Sequence, residues 1–195
     1  IFGFFANPAS NYKNFSKEIQ FSYTSVYDNI YGASAGIIIP TERAGNFSVV
    51  FSGVEYNKNI NTSDFKNSTM FALNYVYPLV KKYPIFTEKG ALGATFKFYS
   101  LKNKHDDSDF NLYSADLGFI YCLDFIDRNL TGALAAKNIG NDIQINNILQ
   151  KQYKNFTASA RYLISDDYKI SLMTDMVKNP ELSATGFACG LETKP

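Results

Sequence analysis

No stretch of the 195 residues approaches the roughly 18 consecutive apolar residues of a membrane-spanning helix, and the longest run of that kind, 33–40, has only the length of a strand. An integral membrane form of this chain would therefore have to be a β-barrel. Charge is sparse and balanced, with 19 Lys plus Arg against 18 Asp plus Glu and no like-charge run longer than Lys81-Lys82. That disfavours a nucleic-acid partner, whose phosphates need a concentrated basic face. Tryptophan is absent, and the two cysteines, Cys122 and Cys189, stand far apart in apolar alternating runs. Such placement fits neither a disulfide-dense scaffold nor a Cys-x-x-Cys metal or redox site, so both read as buried or lipid-facing thiols.

What is abundant points to strands. The chain is 46% hydrophobic and 16% aromatic, with 14 Tyr and 17 Phe, residues that favour a pleated sheet and are too many for a disordered chain. The length suits one domain, 1–195. It begins at Ile1 without a Met or a basic leader, as expected of a processed product or an excerpt of a longer protein. After a turn-like lead-in, 1–14, ten alternating segments follow: 18–25, 31–39, 46–56, 68–77, 90–101, 110–122, 130–138, 155–164, 168–176 and 182–192. None shows a sustained helical stripe.

The alternation separates two faces. In 110–122, Tyr113, Ala115, Leu117, Phe119 and Tyr121 oppose Leu112, Ser114, Asp116, Gly118 and Ile120. In 90–101, Leu92, Ala94, Phe96 and Phe98 oppose Ala91, Gly93, Thr95, Lys97 and Tyr99. A wholly apolar face opposite a small, polar and charged one is expected of a transmembrane strand with lipid outside and a wetter lumen inside. A soluble sandwich shows the same period with its apolar face on the core. Connections 57–67, 102–109 and 139–154 are long, while 40–45, 123–129 and 165–167 are short, matching long external loops and short periplasmic turns; 78–89, 26–30 and 177–181 break that rule. Tyrosines and phenylalanines fall largely near segment ends, where their rings would lie at a membrane interface. Glycines inside the segments, Gly93 and Gly118 among them, mark bends, bulges or close approach of an internal element.

Catalytic chemistry finds little support, and no enzyme is expected. The one histidine, His105, sits in an acidic loop without calcium-loop spacing. The pairs Asp124 with Asp127 and Asp166 with Asp167 lie in short turns, where such residues cap the backbone. No metal site or cofactor is expected. Charges inside the strands are more informative: Glu55, Lys97, Asp116, Lys137, Arg161, Lys169 and Asp175. On a lipid face a basic one would cost about 2–4 kcal/mol near the midplane, so Glu55, Lys97, Asp116, Lys137 and Arg161 are expected in the lumen or near a rim. The alternation supports this for Lys97 and Asp116 and leaves Arg161 and Lys169 unfixed.

Three motifs resemble a known family. Asn7-Pro8-Ala9 resembles the Asn-Pro-Ala motif ahead of the first strand in PorV/PorQ-like outer-membrane barrels, themselves similar to FadL-type long-chain fatty-acid transporters. The run Ala115-Asp116-Leu117-Gly118 up to Tyr121 resembles a recurrent strand of that family, and Gly132 through Asn138-Ile139-Gly140 its following strand end. The resemblance spans about 6–192. It implies an all-β, antiparallel up-and-down transmembrane β-barrel in the bacterial outer membrane, about ten strands of a larger barrel of about fourteen, with a signal peptide in the precursor. It also implies transport of hydrophobic small molecules or a secretion-accessory role, with outer-membrane lipid, a hydrophobic ligand or secretion-system proteins as partners. The other reading is a soluble or surface-exposed all-β binding module without transport activity.

Overall fold

In the computed structural model the alternating segments become one antiparallel sheet of ten strands running up and down. They are β1 (Glu18–Val26), β2 (Ile30–Thr41), β3 (Gly45–Tyr56), β4 (Phe65–Leu79), β5 (Gly90–Asn103), β6 (Asp109–Cys122), β7 (Leu130–Gly140), β10 (Asn155–Ser165), β11 (Ile170–Asn179) and β12 (Ala184–Thr193). The structure describes residues 5–13, 16–26, 30–41, 44–56, 65–79, 90–103, 109–123, 126–127, 129–145, 148–150, 152–165, 170–180 and 184–193. His105, Asp124, Asp166, Asp167 and Lys169 lie outside them, as does most of the 57–67 and 78–89 connections. Among the described residues there is no α-helix, only a 3-10 turn at Ser10–Lys13, and no helix is long and apolar enough to cross a membrane.

Strand order is linear, with β1 and β12 as its two edges. One expectation is corrected: the 139–154 stretch is not a plain loop, because β8 (Ile143–Ile145) and β9 (Ile148–Gln150) pair into a separate hairpin. Three-residue strands are too short to leave an alternation signal.

Register fixes which side chains share a face, since a slip of one residue would exchange the faces of a strand. Leu92, Phe96, Leu117 and Leu134 share one side with Phe51, Phe71 and Leu73, and all are exposed. Ser48, Val50, Ala72, Asn74, Thr95, Lys97 and Asp116 lie on the other and are buried. We call the first the outer face and the second the inner face. Buried apolar side chains among the described residues are few and mostly small: Pro8, Ala9, Ile38, Val50, Ala72, Val76, Ala91 and Ala135. The most exposed large apolar side chains are outside, from Phe21 at 76% exposure on β1 to Phe187 at 79% on β12. This inverts the usual distribution, in which large aliphatic and aromatic side chains are the ones removed from water.

The inner face is covered in its middle by the chain's own start. Phe5 packs on Val50 and Ala72, and Ala9 with Tyr12 packs on Val76, Ala91 and Ile120. Residues 5–13 thus supply the second layer that a single sheet lacks.

Candidate functional site

Two adjoining constellations occupy the inner face, and both grow from residue types that strands ordinarily disfavour. The first is a seat for Asn7-Pro8-Ala9. Gly93 and Gly118 are direct partners across β5 and β6. A Cβ at Gly93 would lie 2.2 Å from the Pro8 carbonyl carbon, and one at Gly118 would lie 2.2 Å from Asn7 Oδ1. The paired glycines therefore allow the turn to approach the sheet backbone more closely than any side chain permits. Asn7 then uses its whole amide: Nδ2 donates to Phe119 O at 3.3 Å and Leu134 O at 3.1 Å, and Oδ1 accepts from the Ala9 N–H at 2.9 Å. From the sheet, Asn74 Nδ2 donates to Pro8 O at 3.0 Å and to Thr95 Oγ1 at 2.9 Å, and Asn46 Nδ2 donates to Asn11 O at 2.6 Å. Each neutral bond contributes about 0.5–1.5 kcal/mol, and leaving a buried partner unmade costs more.

The second constellation is a charged pair beside this seat. Lys97 Nζ lies 2.7 Å from Asp116 Oδ2, with both side chains almost wholly buried. Lys97 also donates to Asn138 Oδ1 at 3.0 Å, and the Asn138 N–H donates to Asp116 Oδ1 at 2.8 Å. A β-bulge makes this possible. Pairing of β6 with β7 passes from Leu117↔Ala136 to Ala115↔Ile139, so Lys137 and Asn138 together oppose Asp116. Asn138 takes φ 60°, a left-handed conformation that asparagine tolerates better than most residues. The carboxylate thereby caps the N–H that the bulge removes from the ladder. Gly140 completes the strand end, since a Cβ there would meet Tyr113 O at 1.9 Å. Asn138 Nδ2 reaches Tyr153 O at 3.3 Å and ties the return of the β8–β9 excursion to the interior.

The residues expected from sequence therefore divide. Lys97, Asp116 and Asn138 come together, and Asn7, Pro8, Ala9 and Gly118 meet in the adjoining seat. Lys137 is half-buried in the bulge opposite Asn155. Arg161 is half-buried on the inner side of β10, away from that pair, and donates to buried Ser171 on β11 at 2.8 Å. Of the two places expected for Glu55, the structure gives the strand end and not the inner face. Glu55 is exposed, shares the parity of Phe47 and Phe51 on the outer face, and pairs with Tyr31 near the end of β3. A strand end permits this because a carboxylate there remains in water. Asp127 accepts from the Asn129 N–H at 2.8 Å and from the Tyr162 hydroxyl at 3.1 Å, a turn-capping role.

Sequence reasoning missed Asn46, Asn74 and Thr95. A usable signal existed, because asparagine is depleted in strands and both asparagines fall on the inner parity. Among the described residues no group of three metal-ligating side chains gathers. Amides, hydroxyls and one ion pair can hold a backbone segment and orient strands. In comparisons with known proteins, no family model, curated protein or solved structure matches the chain.

Proposed function

We propose that this chain forms part of the wall of a bacterial outer-membrane β-barrel of the transport or secretion-accessory class, of the kind the PorV- and FadL-like motifs suggest. One observation carries the reading: the distribution of side chains between the two faces. Outward positions on β4, β5 and β6 read Phe71, Leu73, Tyr75 and Tyr77, then Leu92, Ala94, Phe96 and Phe98, then Tyr113, Ala115, Leu117, Phe119 and Tyr121, with no charge among them. Inward positions hold Asn74, Thr95, Lys97, Ser114 and Asp116. Exposed apolar area of this extent marks a surface that meets something other than water. A bilayer suits it, because the apolar side continues across every strand from Ile19, Phe21 and Tyr23 on β1 to Phe187 and Leu191 on β12.

Strand length and aromatic placement agree. The flanking strands β7, β10, β11 and β12 have 10 or 11 residues, and a tilted strand needs about 9–11 to cross the hydrocarbon. Outward Tyr31, Tyr113 and Phe156 lie near one end of the sheet, and outward Phe47, Tyr77 and Tyr162 near the other. Beyond Tyr113 the same side becomes polar at Asn111 and Asp109. Since backbone groups of an open edge find no partner in lipid, β1 and β12 require further pairing in this reading.

The test is fractionation of the native full-length protein, with a carbonate wash of the membranes and a gel run with and without heating. Retention in the outer membrane with faster migration of the unheated band is the expected outcome. Release as a soluble species without a heat-dependent shift would overturn the reading and favour the binding module.

A further inference from the structure

We propose that the outer face of β6, β7, β10, β11 and β12 holds an acyl chain of an anionic phospholipid, with Lys178 against its phosphate. The inference rests on the membrane reading and adds a specific lipid site to it. On β3, β4 and β5 the outer face is filled by Phe51, Phe71 and Phe96. On β7 and β10 the outward positions include Gly132, Ala158 and Ala160, which leaves a groove of about 690 Å³ walled by Phe119, Leu134, Met176 and Phe187. A second hollow of about 430 Å³ shares Phe119, Leu134, Ala158 and Met176 with the first and continues to Phe156 and Lys178. Four shared walls make the two hollows one apolar trough.

Charge selects the occupant. Asp175 and Lys178 border the trough, but Asp175 has the parity of buried Ser171 and belongs to the inner face. Lys178 is exposed on the outer face near the end of β11, where it pairs with Phe156 and Thr185. A lysine at the border of an apolar wall lays its stem along that wall and raises its ammonium to headgroup level, where an anionic phosphate lies. The outer face of β1–β3 provides a comparison within the same molecule. Its groove of about 550 Å³ is lined by residues such as Ala33 and Phe51 and by no charged side chain.

The test places the full-length protein in nanodiscs of equal parts phosphatidylglycerol and phosphatidylcholine and reads retained lipid by native mass spectrometry. The wild type should retain phosphatidylglycerol preferentially. Lys178→Gln should reduce that preference about fivefold, the contribution of one lysine at an anionic surface. Ala158→Phe should eliminate the retained lipid, and Ala33→Phe, in the other groove, should not. A gel run without heating verifies that each variant is folded. Equal retention of the two lipids by the wild type, or retention unchanged in Ala158→Phe, would overturn the lipid site. Failure of the wild type to enter nanodiscs at all would instead overturn the membrane reading on which the site rests.

Discussion

Strands β4 to β7 and strands β11 to β12 present similar outer faces and contrasting inner ones. Outside, Leu73, Leu117 and Leu134 in the middle correspond to Leu172, Phe187 and Leu191 on the flank, all exposed. Inside, the middle is sealed by residues 5–13 and holds Lys97 and Asp116 at 5% and 0% exposure, whereas Gly186, Ala188 and Gly190 on β12 are open. Outer apolarity is thus common to covered and uncovered strands. It does not depend on what packs inside. Inner burial is local and follows the path of the N-terminal segment.

The contrast can be broken most severely at the ion pair. Asp116→Ala leaves the Lys97 ammonium buried without its carboxylate and frees the bulge N–H, so a loss of about 3–5 kcal/mol is expected in urea titration of the protein in lipid vesicles. Arg161→Gln, on the half-buried flank, should cost far less, and equal losses would show that the middle is not the specially sealed region.

A smaller effect tests the outer face in both regions together. Leu134→Lys in the middle and Phe187→Lys at the same level on the flank should each cost about 2–4 kcal/mol in a bilayer, depending on depth. In a water-exposed sheet neither substitution at an already exposed site would cost that much, so unchanged stability would count against lipid on this face.

The third comparison is between glycines. Gly93→Ala forces a Cβ into the Pro8 backbone, and the strain should cost about 1–3 kcal/mol or release residues 5–13, read as new protease sensitivity in that segment. At Gly190 a Cβ meets nothing within 4 Å. Gly190→Ala should be neutral or stabilise by up to about 1 kcal/mol through the unfolded chain.

Much of the sheet was legible because alternation is a local property. The ten segments expected from sequence correspond to the ten strands of the main sheet, and the two-faced pattern of β5 and β6 placed Lys97 and Asp116 inside. Boundaries moved where the alternation faded: β4 runs over Phe65–Leu79 rather than 68–77, with a register shift between Phe65 and Asn67. Glu55 shows how the same reasoning fails near a strand end, where either face reaches water and charge no longer reports direction. The seat itself was less legible. The Asn7 carboxamide meets carbonyls more than a hundred residues away, and local pattern carries no record of such a meeting.

The sequence by itself determined an all-β chain of two-faced strands, because a period of two is written residue by residue and the hydrophobic positions declare a face. Only the tertiary structure decided that Gly93 and Gly118 meet beneath the Asn7-Pro8-Ala9 turn, and that an extra residue in β7 carries Asn138 to Lys97 and Asp116. Those outcomes depend on cross-strand register and on the return of the N-terminal segment over the sheet. Both are set by contacts between distant residues competing for the same space.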